Sequence, residues 1–242
     1  MAGHSKWNNI KAKKGKTDAQ RAKVFTKISR EIIVAVKEGG SGDPSSNSRL
    51  KDAIAKAKAA NVPNDNIKRV IDKAAHGGEN ASYESNVYEG YGPSGVAVIV
   101  ETMTDNRNRT ASEMRHYFDK CGGNMGTPGS VSWSFDRKGV LVIEAVGRDE
   151  DTVLMDALDA GADDAEVRDE VFEIFTEPEL FGSVRDALEE KQYTFLSAQV
   201  EMVPQNYSLL DNPDDITKML KLLDMLEDND DVQEVWHNWE EE

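Results

Sequence analysis

The stretch GVLVIEAVGRDEDTVLMDALDAGADDAEVRDEVFEIFTEPELFGSVRDALEEKQYTFLSAQVEMV, residues 139–203, decides the fold. Its pattern reads strand, helix, two strands, helix, strand. Val153, Leu154, Ala157 and Leu158 recur at helical spacing over 151–160, as do Leu180, Phe181, Val184 and Leu188 over 179–190. Near its end Leu196, Ala198, Val200 and Met202 alternate with Ser197, Gln199 and Glu201, the period of a half-buried strand. That order of elements is the split β-α-β, or ferredoxin-like, sandwich.

Outward from this stretch the same alphabet recurs. Val96 to Val100 is an unbroken apolar run, as a central strand requires. Val131, Trp133 and Phe135 alternate with Ser130, Ser132 and Ser134, which predicts a further strand. Helical patterns cover 107–121 and 214–226, the second announced by Asn212-Pro213-Asp214-Asp215: a cap, a proline in the first turn, then acids against the helix dipole. The flanking pieces together make a second domain of similar type, with the first inserted into it.

The first eighty residues are helical. Thr17-Asp18-Ala19-Gln20 is a capping box; Val24, Phe25, Ile28, Ile32, Ala35 and Val36 follow at helical spacing until Gly39-Gly40. After a Gly/Ser/Pro linker from Ser41 to Ser48, Leu50, Ala53, Ile54 and Ala57 mark a second helix. Asn61-Val62-Pro63 breaks it, and Ile67, Val70, Ile71 and Ala74 mark a third, closed by Gly77-Gly78. Helices this short need one another, so a three-helix unit is expected. The tight turn between the second and third allows a helix-turn-helix shape, yet most of the charge lies before it, so no recognition helix is assigned. The expected fold is α+β multidomain. It has a basic helical domain at 1–78, a discontinuous α+β domain at 79–135 plus 206–242, and an inserted ferredoxin-like α+β domain at 136–205.

The net charge of −16 conceals a division. Residues 1–40 carry ten Lys/Arg against three acids, or +7, which leaves −23 for residues 41–242. A basic end on an acidic body predicts polyanion binding through that end, with the body repelling the same polyanion and favouring one orientation. On the first helix Lys23, Lys27, Arg30 and Lys37 fall in one stripe opposite the apolar one, so the basic face is expected to look outward. The candidate nucleic-acid-binding residues are Lys6, Trp7, Lys11, Lys13, Lys14, Lys16, Arg21, Lys23, Lys27 and Arg30. Trp7 either stacks on a base or anchors the arm to the helices. Arg107 and Arg109 are a possible secondary contact. They sit where a strand passes into a helix capped by Asp105 or Thr104; they could hold a phosphate or pair with the domain's own acids.

Other classes of function find little support. No apolar run exceeds five residues, far short of a membrane span, and the lysine-rich N-terminus lacks the apolar stretch of a secretory signal. A single cysteine, Cys121, excludes an intrachain disulfide and fits a reducing compartment, so the expected location is the cytoplasm. His4, His76, His116 and His237 have no metal-ligand spacing, and Cys121 reads as a small packed residue at a helix end. The glycine-rich loop Gly122 to Gly129 lacks the Lys-Ser/Thr ending of a phosphate loop and reads as a helix cap leading into a turn. The acidic stretch Asp149 to Glu173 lacks a calcium-loop pattern; it is a solvated face or a dock for a basic protein, such as a ribosomal one. No catalytic residue, metal or cofactor is expected, and no membrane contact.

Several motifs are specific enough to name a kinship. Ala2-Gly3-His4-Ser5-Lys6-Trp7 with Asn9-Ile10-Lys11, Phe25-Thr26-Lys27, Ala59-Ala60-Asn61-Val62-Pro63, Tyr88-Glu89-Gly90-Tyr91-Gly92-Pro93, Thr104 to Thr110, Gly122-Gly123-Asn124 and Gly129-Ser130-Val131-Ser132-Trp133 run in order along the chain. Together they closely resemble the YebC family, which includes bacterial proteins called probable transcriptional regulators and mitochondrial translational activators. The resemblance implies three domains with an interrupted chain path and no catalysis. It implies either DNA-binding regulation of transcription or ribosome-associated help through proline-containing stretches.

Both readings use the basic end. A DNA-binding regulator gripping about seven phosphates would show a salt slope near −6. A translation factor would lay the same arm on ribosomal RNA by shape and backbone, its acidic domains facing proteins or tRNA. An acidic protein-protein adaptor is a third possibility. The transcriptional reading is taken as the expectation.

Overall fold

In the computed structural model residues 18–76, 82–168 and 170–240 are described. Among them the chain forms seven α-helices and two four-stranded sheets whose neighbouring strands all run antiparallel. The fold is α+β and multidomain. Two compact units result: residues 135–205, and residues 18–134 with 206–240.

The larger unit begins with three helices, α1 (Asp18–Gly39), α2 (Ser48–Ala59) and α3 (Asn64–Ala75). Ile28, Ile32, Val36, Leu50, Ala53, Ala57, Ile67 and Ala74 form their shared core. Buried Asn47 joins the first two. Its Oδ1 accepts from the amide of Leu50 at 3.0 Å, capping α2, while its Nδ2 donates to the carbonyls of Ala35 (2.8 Å) and Ser41 (3.0 Å) near the end of α1. The capping box at Thr17 and the closing glycines 77 and 78 lie outside the described residues.

A sheet follows: β1 (Glu84–Tyr91), β2 (Ala97–Thr104), the two-residue β3 (Asn124–Met125) and β8 (Val232–His237), ordered β3-β1-β2-β8. The apolar run at 96–100 is buried throughout and lies in or beside the central strand β2, as read from the sequence. Two helices, α4 (Arg107–Lys120) and α7 (Pro213–Asp228), cover one face, where Met114, Phe118, Met219, Leu222 and Leu226 meet Val96, Val98 and Val100. Asn212 caps α7 with Pro213 in its first turn. The cap of α4, however, is Asn106, whose Oδ1 accepts from the Arg109 amide at 3.1 Å, rather than Asp105 or Thr104.

The smaller unit runs β4 (Phe135–Glu144), α5 (Glu150–Asp159), β5 (Asp164–Arg168), β6 (Val171–Thr176), α6 (Phe181–Glu190) and β7 (Phe195–Pro204), with sheet order β5-β6-β4-β7. This is the ferredoxin-like arrangement. Leu141, Ile143, Val153, Ala157, Phe172, Ile174, Val184 and Leu188 fill the space between sheet and helices. The sheet of the larger unit has the same spatial order with a different path. There the strand equivalent to β6 comes first in the chain, as β1, and residues 135–205 occupy the gap before α7.

Two strand readings need correction. Residues 132–134 form a 3-10 turn, and the strand starts only at Phe135. The serine-apolar alternation looks like a strand, but the amides of Val131 and Ser132 are taken by a carboxylate instead of a neighbouring strand. In β7 the alternation breaks at Leu196. Val142 pairs with Ser197 and Ile143 with Phe195, so Leu196 is the extra residue of a bulge and joins the opposite-face cluster of Val140, Val142 and Val171.

Candidate nucleic-acid interface

The arm residues Lys6, Trp7, Lys11, Lys13, Lys14 and Lys16 lie outside the described residues, as does the side chain of Arg21. The basic stripe of α1 is described, and it does not look outward. Lys27 donates to the carbonyl of Glu227 at 2.7 Å, and Lys23 bonds both the carboxylate and the carbonyl of Asp228. Arg30 donates to the carbonyl of Asp230 at 2.7 Å and to the carboxylate of Asp231 at 2.8 Å, with its guanidinium over the Tyr83 ring. Lys23 and Lys27 therefore sit on the C-terminal end of α7, and Arg30 on the turn that follows it. A helix C-terminus exposes unsatisfied carbonyls and the negative end of the dipole, and here acidic side chains add to both. The pull is local. It is invisible in sequence because about two hundred residues separate the partners. Lys37 alone of the four is exposed, in the last turn of the helix.

Asp231 gathers the arrangement. Its side chain is 5% exposed and accepts from Arg30, Arg109 (2.7 Å), Thr110 (2.8 Å) and Thr104 (3.0 Å). Burial alone would raise its pKa, but the four donors outweigh it and hold the carboxyl below the usual carboxylate value. Beside it Lys56 of α2 reaches Glu234 of β8 at 2.8 Å and Glu31 of α1 at 3.1 Å. Burial works against its ammonium, yet the two carboxylates raise its pKa above the ordinary lysine value. Glu101, paired with Glu234 across β2 and β8, is pushed up by burial.

Arg109 is exposed but already paired, with Asp231 and Asp105, rather than held free for a phosphate. Arg107 is exposed in the first turn of α4. The glycine-rich loop is likewise occupied. The buried carboxylate of Glu89 accepts from the amides of Gly129, Val131 and Ser132 at 2.8, 2.8 and 2.9 Å. Burial would raise its pKa, and the three amides bring it below the usual value. The protein's own carboxylate fills the place an anion would take. Cys121 caps α4 fully buried, its thiol pushed up by that burial, as expected of a packed residue.

Sequence reading missed a second basic cluster. Lys120 and Lys221 flank Cys121, and Lys218 lies against Gly122; all three are exposed. The signal was present only as two lysines three apart on α7, which meet the end of α4 through tertiary packing. Among the described residues no group of three or more His, Cys, Asp or Glu side chains could hold a metal ion, and no described helix is long and apolar enough to cross a membrane.

The family profile for the TACO1/YebC protein N-terminal domain matches residues 5–77, and that for the TACO1/YebC second and third domain matches residues 83–239. The chain belongs to the TACO1/YebC family. Relatives span its whole length: a "Probable transcriptional regulatory protein" of Acetivibrio thermocellus is 61% identical over 99% of both chains. One of the same name from Finegoldia magna is 57% identical over 100% of both. A crystal structure of a conserved hypothetical protein from Aquifex aeolicus superposes with a TM-score of 0.83 at 44% identity, covering 93% of this chain and 92% of that one. For this TACO1/YebC member, the division of the two profiles falls between residues 77 and 83, just beyond α3.

Proposed function

We propose that this TACO1/YebC protein is a non-enzymatic cytoplasmic regulator of gene expression that acts through nucleic acid, as a DNA-binding transcriptional regulator. One observation carries the reading: residues 1–76 hold 17 Lys/Arg against 7 acids, on a chain whose net charge is −16. Such segregation favours one-ended binding of a polyanion. The name that relatives bear, probable transcriptional regulatory protein, supports the transcriptional sense.

Lys6, Lys11, Lys13, Lys14, Lys16 and Arg21 grip phosphates in this reading, with Trp7 among them. Lys23, Lys27 and Arg30 serve instead as the mount that fixes α1 to α7. Exposed Lys58, Lys68 and Arg69 extend the basic surface along α2 and α3. With six phosphate contacts the affinity for duplex DNA falls with salt at a log-log slope of about −5. Crosslinking in cells, followed by sequencing of the attached nucleic acid, tests the proposal beside a control with Lys11, Lys13, Lys14 and Lys16 changed to glutamate. Discrete promoter DNA, lost in the control, is the expected result. Enrichment of one patch of ribosomal RNA without promoter signal would replace the transcriptional role with one in translation.

A further inference from the structure

The helical module holds a cavity of about 370 Å³ between α1, α3 and Tyr83, open to solvent on one side. Ile28, Ile32 and Ile67 are buried at its floor, and Phe25, Val70 and Tyr83 are half-buried around it. The other α1 residues here include Thr26 and Ser29, which are too small to fill the space. A volume of this size, lined mostly by apolar side chains with a few polar ones, suits a small molecule.

The charge at this cavity is one-sided. None of its lining residues is acidic, in a chain with 45 Asp/Glu against 29 Lys/Arg. Two arginines line it. Arg30 is committed: its guanidinium lies 5.3 Å from the centre of the Tyr83 ring and donates to Asp231 at 2.8 Å. Arg69 is not. It is exposed, it has no ion pair among the described residues, and its one hydrogen bond there runs to Asn66 Oδ1 at 3.0 Å. Asn66 also lines the cavity, so its Nδ2 remains as a second donor. The same edge carries the N-terminus of α3. Val62 and Asn66 are lining residues, and Pro63 between them caps the helix without a side-chain hydrogen bond. Free amides and the positive end of the dipole favour a negative charge at that end. Asp65, the acid of the first turn, is exposed and is not part of the lining.

A ligand matched to these walls has an apolar body and a single anionic head. A nucleic-acid base fits less well, because the aliphatic floor offers its polar edge no hydrogen-bond partner. We propose that the cavity binds a small carboxylate with an aliphatic or aromatic body. The body lies against Ile28, Ile67 and Val70, and the carboxylate accepts from Arg69 and Asn66 Nδ2. This goes beyond the nucleic-acid reading and shares with it one residue, Arg69.

The test titrates the full chain with octanoate, octanol and octylamine, which share one body and differ in the head. Isothermal titration calorimetry reads affinity, and NMR of labelled Ile and Val methyl groups reads location. Octanoate should bind and shift the methyls of Ile28, Ile67 and Val70, while octylamine binds far more weakly. Arg69→Gln is expected to weaken octanoate about tenfold and leave octanol unchanged, because it removes one charge-assisted hydrogen bond. Val70→Phe should fill the cavity and abolish binding of both, with thermal melting as the check on its fold. Arg69 is exposed and holds only Asn66, so Arg69→Gln decides the question even where Val70→Phe fails to fold. Absence of octanoate binding at millimolar concentration overturns the proposal, as do methyl shifts confined to other parts of the molecule. Octylamine binding as tightly as octanoate, or wild-type octanoate affinity in Arg69→Gln, overturns it equally.

Discussion

Asp231 shows how much of this fold rests on one side chain. It stands between α7 and β8 and joins Arg30 of the helical module to Arg109, Thr104 and Thr110 of the sheet domain. Removing it would strand Arg30, whose side chain is 17% exposed, and leave two threonine hydroxyls without their acceptor. Asp231→Ala should therefore cost roughly 3 kcal/mol in urea unfolding, while Asp231→Asn costs less. Its pKa is depressed in the folded state, so its stabilisation is present above the ordinary carboxylate range and disappears as pH falls through the depressed value. A second residue acts at milder acidity. His237 on β8 has a buried Nδ1 with no hydrogen-bond partner, and burial pulls its pKa from 6.5 down to about 4. In the unfolded chain it would protonate first, so stability should drop by about 3 kcal/mol between pH 6.5 and 4. Melting curves across that range should show the slope, and His237→Gln should flatten it. Neither residue is marked in the sequence. Each is one acid or one histidine among many until packing selects it.

At the scale of elements, the loop from Gly122 to Ser134 is organised by a residue that precedes it by more than thirty positions. Glu89→Ala would leave the amides of Gly129, Val131 and Ser132 without their acceptor in a partly dry site. A loss of about 2 kcal/mol in equilibrium unfolding is expected, together with faster hydrogen exchange at those three amides. A different strain applies at Gly129, which has φ +86°; alanine there should cost about 1 kcal/mol, measurable by the same unfolding experiment. Helices were the more legible elements. Asn212-Pro213 starts α7 as its sequence announces, and Gly40, at φ +64°, follows the end of α1. Alternation was less secure, because a period of two says nothing about what accepts the amides. That is why the serine-rich 130–134 segment became a turn and why Leu196 changed faces at a bulge.

For the molecule as a whole, the insertion has a mechanical reading. The ends of the 135–205 unit are strand neighbours, Phe135 opposite Pro204, and its core uses only residues from within it. A unit with adjacent ends and its own core can leave its host without breaking either. Residues 135–205 expressed alone should give a cooperative thermal transition and strand-rich circular dichroism; a chain that stays unfolded would show that it depends on the host. Charge also acts at this scale. Fixing α1 against the C-terminal end of α7 consumes Lys23, Lys27 and Arg30, so the salt dependence of DNA binding should reflect the arm and not the helix. A measured slope well beyond −6 would mean that these contacts open on binding.

The sequence by itself determined most element types, the ferredoxin-like order of 139–203, the three-helix start and the family, because these depend on periodicity, capping and short motifs that act within a few residues. The concentration of positive charge at one end was equally plain, since charge is a sum over composition. Only the tertiary structure decided which of those charges face solvent. Lys23 and Lys27 met the carbonyl end of α7, and Arg30 and Arg109 met Asp231, all through contacts between residues more than a hundred positions apart. Electrostatic partners are chosen by distance in space, and a linear pattern carries no record of that distance.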